Sequence, residues 1–146
     1  MNNDFVSKAY QMSTDKSKLN IEVIHKFLSE DSYWSKNIPF EIVKKGIENS
    51  LCFGVYFNEE QIGFARMITD YASFAYLADV FILPDHRGKG LSKWLMEEIM
   101  NYPDMQGLRR IMLATADAHE LYKKFGFVPP SKPERLMEIH KPNVYQ

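Results

Sequence analysis

The sequence is short of cysteine, of long apolar runs and of excess charge, and each shortage excludes a class of protein. Cys52 is the single cysteine among 146 residues, which leaves no internal disulfide and no cysteine-based zinc cluster. No apolar run approaches the roughly 18 residues of a membrane span, and the formal net charge is only −1. A broad nucleic-acid surface needs clustered positive charge. We therefore expect no metal, no membrane contact and no nucleic-acid partner.

What is present is typical of a single globular domain over residues 1–146. The chain is 45% hydrophobic and 25% charged, which is ordinary for such a domain. It contains no repeat, low-complexity segment or Gly/Ser linker, so no domain boundary is predicted. The start Met1-Asn2-Asn3-Asp4 lacks the basic residues and apolar run of a signal peptide, and a cytoplasmic protein is expected. Cys52 lies in an apolar run and is predicted to be an inert core residue.

Apolar periodicity and turn residues predict the element order β-α-α-β-β-β-α-β-α-β. The predicted strands cover residues 5–12, 51–57, 61–69, 74–83, 109–115 and 135–139. The predicted helices begin at Ile21, at Pro39 as the first helical residue, at Gly90, and at Asp117, which forms a capping-box pair with Glu120. This order predicts an α+β or mixed α/β fold in which helices flank a largely antiparallel sheet.

The segment Arg87-Gly88-Lys89-Gly90 joins a predicted buried strand directly to an amphipathic helix. A helix N-terminus offers free backbone N–H groups and the positive end of the helix dipole. The two glycines let the backbone approach an anion, and the two cations suit a pyrophosphate. The alternative is a plain turn in which the glycines only reverse the chain. The spacing matches neither a P-loop nor a dinucleotide-binding fingerprint.

A second motif, AHELYKKFGF, occupies residues 118–127. Together the two motifs resemble the GNAT superfamily of N-acetyltransferases, whose signatures are Gln/Arg-x-x-Gly-x-Gly/Ala after a strand and a later Ala-x-x-Leu-Tyr-x-x-x-Gly-Phe. Counted from Arg87, the first signature matches at Arg87 and Gly90 but has Ser92 at its end. Counted from Asp85, both glycines match and the acid replaces Gln/Arg. The resemblance covers residues 51–127.

The resemblance implies a mostly antiparallel sheet with two strands splayed at a cleft for acetyl-CoA, the cosubstrate. Backbone groups of the strand before the loop would hold the pantetheine arm and the thioester carbonyl, and the loop would hold the pyrophosphate. The residues so implied are Phe81, Ile82 and Leu83 in the strand and Arg87, Gly88, Lys89, Gly90, Leu91 and Ser92 in the loop. Thr115 stands where the family often has an asparagine that bonds pantetheine, so that contact is weaker or supplied otherwise.

The resemblance also implies catalytic roles for two residues. Tyr122 occupies the position of a general acid that protonates the departing thiolate; the alternative is a packed core tyrosine. Asp79 lies in an apolar strand, where a carboxylate is costly unless it is hydrogen-bonded or functional. It is a candidate base or amine ligand, and the alternative is a structural partner for Arg66 or a backbone N–H. His86, His119 and water are further candidates for the base.

The implied function is transfer of an acetyl group to a primary amine of a small molecule or peptide. Tyr33 and Trp34 lie between the first two helices, where the family often builds the acceptor wall; the alternative is a core plug. A different function would be a sensor module that binds CoA without turnover. Because dimers are common in the family, the resemblance is also compatible with a homodimer.

Overall fold

The computed structural model describes residues 5, 6 and 8–146 and contains a five-stranded sheet flanked by helices. The strands are β1 (Tyr10–Ser13), β2 (Leu51–Phe57), β3 (Glu60–Thr69), β4 (Phe74–Ile82) and β5 (Arg110–Leu113). The helices are α1 (Ile21–Lys26), which continues as a π-helical turn over Phe27–Asp31, then α2 (Phe40–Glu48), α3 (Leu91–Asn101) and α4 (His119–Lys123). The strands lie in chain order, and all neighbours are antiparallel except the parallel pair β4 and β5. The predicted α+β fold is confirmed.

Each face of the sheet carries an apolar cluster, because successive strand residues point to opposite faces. Met67 of β3 lies in the cluster that α3 covers, and Phe64 lies in the cluster beneath α1 and α2. Cys52 belongs to the second cluster and is buried. Burial raises the pKa of its thiol to about 11, so the thiolate needed for reaction is scarce at neutral pH. The predicted inert core position is confirmed.

The strands β4 and β5 separate partway along their length. They pair from Phe74 opposite Arg110 to Leu77 opposite Leu113, and β4 then continues to Ile82 beside β3 alone. The register between β3 and β4 shifts in this stretch, and Asp79 has a φ of +57°. An extra residue in one strand bends it and increases its twist. The bulge accompanies the splayed cleft that the resemblance implies.

The predicted first strand over residues 5–12 is wrong in its first half. Phe5 and Val6 are helical, Ser7 lies outside the described residues, and β1 begins only at Tyr10. Ala9 has a φ of +69°, a left-handed conformation that interrupts an extended strand. The apolar Phe5 stacks on Trp94 of α3 at 5.0 Å between ring centroids, so its hydrophobicity serves packing on the helix rather than strand pairing.

Three other boundaries also differ from prediction. Pro39 is the extended residue before α2 rather than its first helical residue. The helix α4 begins at His119 without a side-chain cap; Thr115 Oγ1 instead accepts the Ala118 N–H at 3.0 Å, which replaces the predicted capping box. Residues 135–139 form no strand.

In the described part of the chain, every helix is too short or too polar to cross a membrane.

Candidate active site

The turn between β4 and α3 has the geometry of an anion site. Gly88 and Gly90 have φ angles of +76° and +86°, which side chains rarely tolerate. A Cβ at Gly88 would meet no atom within 4 Å, so its surface is open. No side chain caps α3, and its first turn holds no acid. The first N–H groups of the helix therefore remain available to a ligand. Leu91 is buried, so only its backbone could take part.

Arg87 has a contact that sequence reasoning missed. Its Nε donates to the carbonyl oxygen of Ile82 at 2.7 Å, which ties the turn to the end of β4. The guanidinium has five N–H donors, so four others remain for an anion. Arg87 and Lys89 are exposed at the turn, as their predicted contact with phosphate requires.

Backbone N–H and C=O groups at the end of β4 point alternately toward β3 and away from it. The Leu83 N–H donates to Ile62 O at 2.8 Å, and the Leu83 carbonyl accepts from His86 N at 3.0 Å. Leu83 is therefore not the free donor that the resemblance implies, because both of its backbone groups are engaged. Backbone groups of successive residues alternate in direction along a strand, so Ile82 directs its N–H away from β3, toward the gap beside β5.

Phe81 follows the same alternation as Leu83. It lies opposite Phe64 in the register of β3 and β4, so its backbone groups point toward β3. Its side chain is buried and stacks on Phe27 at 4.1 Å between ring centroids. Of the three strand residues predicted to contact the cofactor, Ile82 alone combines a position at the gap with an outward-facing N–H.

Tyr122 projects from α4 and is buried. Its ring packs edge-on against Phe127 at 6.0 Å between centroids. Burial raises the pKa of Tyr122 to about 12, with smaller contributions from Tyr33 and Asp117. Among the described residues, no group hydrogen-bonds its hydroxyl. The side chain therefore remains a protonated donor at neutral pH.

Asp79 is held by two neighbours. Its Oδ2 accepts from Arg66 Nε at 2.9 Å, and its Oδ1 accepts from Trp34 Nε1 at 3.0 Å. Arg66 also donates to Ser50 Oγ at 3.1 Å. The ion pair with Arg66 is the structural role named as the alternative for this acid, and it explains how a carboxylate is tolerated in an apolar strand. The catalytic role of Asp79 stays a prediction.

Tyr33 and Trp34 bridge the two separated strands. Trp34 reaches β4 through Asp79, and the Tyr33 hydroxyl accepts the Ala116 N–H at 2.9 Å, beyond the end of β5. The two rings meet edge to face at 4.9 Å. Their side chains are 57% and 41% exposed, which contradicts a core plug. Sequence reasoning found the segment but not these two contacts, which join residues far apart in the chain.

A cavity of about 340 Å³ lies on the helical side of Asp79. Most of its wall is apolar, and the charged residues that line it are Lys45, Arg66 and Asp79. The apolar part is formed by Ile24, Leu28, Ile38, Ile42, Val43, Ile47 and Phe64, and Tyr145 from the C-terminal segment also contributes. A cavity of this size can hold a small organic molecule.

The two candidate histidines lie in different settings. His86 Nδ1 is 2.7 Å from the Tyr10 hydroxyl in a hydrogen bond, and its ring also lies against Phe57. His119 is exposed in the first turn of α4. Tyr10 engages only Nδ1 of His86, so both histidines stay candidates for the base. Among the residues that the structure describes, no group of three or more His, Cys, Asp or Glu side chains could hold a metal ion.

Known proteins resemble this chain in both sequence and fold. A profile of the Acetyltransferase (GNAT) family matches residues 21–127. A protein of Gibberella zeae, whose name proposes an acetyltransferase, is 36% identical over 79% of this chain and 76% of its own length. A crystal structure from Xanthomonas campestris pv. campestris, proposed as a GNAT-family acetyltransferase, is 54% identical, with a TM-score of 0.92 over 93% of this chain and 96% of that one.

A more distant structure shares the fold alone. It comes from Clostridium acetobutylicum, was determined with acetyl-CoA, and is 15% identical with a TM-score of 0.57 over 90% of this chain and 94% of that one. The matched profile covers both motifs and the elements between them. The chain therefore belongs to the GNAT family of acetyltransferases.

Proposed function

We propose that this protein transfers the acetyl group of acetyl-CoA to a primary amine of a small molecule or peptide. The observation that carries the proposal is the gap between β4 and β5, toward which Ile82 directs its N–H. One end of that gap meets the glycine turn, and Tyr122 lies on the helix that follows β5. Acetyl transfer to an amine needs a deprotonated nucleophile, a polarised thioester carbonyl and a proton for the departing thiolate. The outward N–H suits the second need and the protonated phenol suits the third.

The residues at the gap fit acetyl-CoA. The open surface at Gly88 and the uncapped start of α3 suit a pyrophosphate, and Arg87 and Lys89 add positive charge. When bound, acetyl-CoA supplies an activated acetyl thioester. The Ile82 N–H is the donor we assign to the thioester carbonyl oxygen, where negative charge develops as the amine attacks. The structure of the same fold from Clostridium acetobutylicum was determined with acetyl-CoA, which supports the choice of cosubstrate.

Tyr122 is the donor that we assign to the departing sulfur. The reaction forms an N–C bond and breaks a C–S bond, so the sulfur acquires negative charge. A phenol with a pKa near 12 is a weaker acid than a thiol at about 8.5. Its proton therefore stays on the tyrosine oxygen until charge has developed on sulfur. The principal contribution of Tyr122 is then a hydrogen bond that strengthens as the C–S bond breaks.

Asp79 is the group that we assign to the incoming amine. Each of its oxygens accepts one hydrogen bond, and a carboxylate has about four lone-pair sites in total. Two acceptor sites therefore remain for an ammonium or for a water that removes its proton. The adjoining cavity, which Asp79 lines, can take the body of the acceptor; Trp34 donates to Asp79 and stays a predicted acceptor contact.

The direct test is release of CoA thiol with acetyl-CoA and a panel of amines, paired with calorimetric titration of CoA. We expect CoA to bind and at least one amine to accelerate thiol release. Binding of CoA without amine-dependent release across small-molecule and peptide amines would favour the sensor alternative. Absence of CoA binding would contradict the cofactor site itself.

A further inference from the structure

The cavity beside Asp79 has an apolar wall that reaches its mouth. Ile24, Leu28 and Phe64 are buried in this wall, whereas Ile42 lines the cavity and is 45% exposed. Contact between Ile42 and a hydrocarbon group would remove apolar surface of both from water, which is favourable. The few polar groups in such a wall serve to orient a ligand. The wall therefore favours a ligand with an apolar body.

The cavity offers few partners to a ligand that carries many hydroxyl or amide groups. Its uncharged polar residues are Ser35, Asn49 and Tyr145. The Asn49 amide already donates to Lys45 O at 2.9 Å. A polar group that enters an apolar site without a hydrogen bond costs free energy. An amino sugar or a peptide would therefore leave several of its polar groups unpaired here.

A single acid, Asp79, lines the cavity in the part of the chain that the structure describes. Its Oδ2 is already paired with Arg66 Nε at 2.9 Å, and Lys45 adds another positive residue to the wall. An amino group with one positive charge can share the Asp79 carboxylate. A second positive charge on the same ligand would meet Lys45 and Arg66 without a further acid to balance it, which is costly in an apolar setting.

Arg66 is fixed in this arrangement by α2. Its Nη1 donates to Ser50 Oγ at 3.1 Å, and Ser50 Oγ donates in turn to Gly46 O at 2.7 Å. Gly46 lines the cavity, and a Cβ on it would lie 3.2 Å from Arg66 Nη1. The glycine therefore leaves room for the guanidinium to pack against the helix. Arg66 stays beside Asp79 and keeps its positive charge in the wall.

We propose that this cavity selects a primary monoamine with an apolar body. The amino group contacts Asp79, and the hydrocarbon part lies along the wall that ends at Ile42. The proposal rests on the proposed acetyl transfer in naming this amine as the acceptor, and it narrows that acceptor to one class. Diamines and polyamines, amino sugars and peptide amines are disfavoured by the charge and polarity of the wall.

The first test is calorimetric titration with n-heptylamine and with 1,7-diaminoheptane, which have the same carbon chain and differ by one amino group. Each titration is run with and without saturating CoA. We expect heptylamine to bind about tenfold or more tightly than the diamine. Its affinity should also exceed that of butylamine by about fourfold for each added methylene. Glucosamine and a lysine-containing tripeptide should bind more weakly than heptylamine.

Three results of this titration would overturn the proposal. The first is equal or tighter binding of the diamine, the amino sugar or the peptide. The second is an affinity that does not depend on chain length. The third is absence of heptylamine binding both with and without CoA.

The second test supplies the acid that the wall lacks, through Ile42→Glu. This variant should keep its fold because Ile42 is exposed, and a melting curve checks this. We expect heptylamine to bind about tenfold more weakly and its advantage over the diamine to fall to about twofold or less. The matched control is Ile68→Glu, since Ile68 is 40% exposed and lies on β3 outside the cavity wall; it should keep both affinities. An unchanged preference in Ile42→Glu would overturn the assignment to this cavity.

Binding and transfer fail separately. If heptylamine binds as expected but releases no thiol from acetyl-CoA, the proposed function is contradicted and the binding preference stands. If kcat/KM for thiol release is higher with the diamine, the amino sugar or the peptide than with heptylamine, the proposed acceptor class is overturned and acetyl transfer stands.

Discussion

At the scale of single residues, the structure separates groups that bind from groups that hold the site in place. Tyr122 is buried with an unbonded hydroxyl among the described residues, whereas Asp79 is already tied to Arg66 and Trp34. Arg87 is tied to Ile82 through one of its five N–H donors. These differences decide which substitutions should change the rate and which should change stability.

Substitution of Tyr122 by phenylalanine should lower kcat by about 10²-fold or more. The loss should appear in kcat rather than in the affinity for acetyl-CoA, since the hydroxyl acts only as the sulfur departs. Burial raises the pKa of this phenol to about 12, so wild-type activity should show no loss from Tyr122 ionisation below about pH 11. Steady-state kinetics across pH, with calorimetry for acetyl-CoA, measure both quantities. A variant with the wild-type rate would make Tyr122 a packing residue.

Substitution of Asp79 by asparagine should lower the melting temperature, because Arg66 then loses its charged partner. Both side chains are mostly buried, at 11% and 20% exposure, and a hydrogen bond to a charged group contributes about 1.5–3 kcal/mol. A double-mutant cycle with R66M should recover part of this loss. If Asp79 also serves the amine, the rate of the folded variant should fall most at neutral pH and recover as pH rises.

The Asp79 experiment distinguishes its two roles on one sample. A lower melting temperature with an unchanged pH–rate profile would mean that Asp79 has a structural role only. His119 would then be the next candidate for the base, and His86 and water would remain as the others.

At the scale of elements, the bulge in β4 and the glycine turn together form the proposed site. The bulge at Asp79 accompanies the divergence from β5, and the turn then delivers the chain into α3 within a few residues. Gly88 and Gly90 both adopt left-handed conformations. Their role is therefore twofold, since they permit the turn and leave its surface open.

Substitution of Gly88 by valine should weaken CoA and acetyl-CoA binding alike, because the added side chain and the strained φ both disturb the backbone cradle. The matched control is G107V. Gly107 has a φ of +79° and equally open surroundings, so it carries the same strain far from the turn. Calorimetry should show weaker binding by G88V only. Unchanged affinity in G88V, or equal losses in both variants, would remove the turn from the site.

Much of the element pattern could be predicted because it is local. Residues 51–57 form an unbroken apolar run and became β2, and the run 61–69 is nearly coextensive with β3. The turn before α3 was predictable from four adjacent residues, whereas its role in binding pyrophosphate stays a prediction. Predictions failed at Phe5, which packs on Trp94 and does not pair in a strand, and at 135–139, whose alternating apolar residues have no partner strand in the described part of the chain.

The contacts that organise the site could not be predicted from local patterns. Trp34 and Asp79 are 45 residues apart in the chain, and Tyr33 and Ala116 are 83 apart. No periodicity or turn signal encodes such pairs, since they depend on how the elements pack. The left-handed φ at Asp79 was also unpredictable, because aspartate in an apolar strand gives no sign of a bulge.

At the scale of the whole molecule, the protein combines the fold of its family with the groups that one proposed reaction needs. The chain belongs to the GNAT acetyltransferases, and its own cleft, turn and phenol support acetyl transfer to an amine. The cavity of about 340 Å³ beside Asp79 is the place that we propose for the acceptor. The fold does not identify the acceptor, because proteins of one fold act on many different substrates.

The most direct test is the mass of the acceptor after incubation with acetyl-CoA labelled with carbon-13 in the acetyl group. Primary amines, both small molecules and peptides, are incubated with the wild type and with Tyr122→Phe and are then analysed by mass spectrometry. We predict that at least one amine gains a labelled acetyl group with the wild type, and at a rate lower by about 10²-fold or more with the variant. If no amine acquires the label although CoA binds, the account of this protein as an amine acetyltransferase is contradicted.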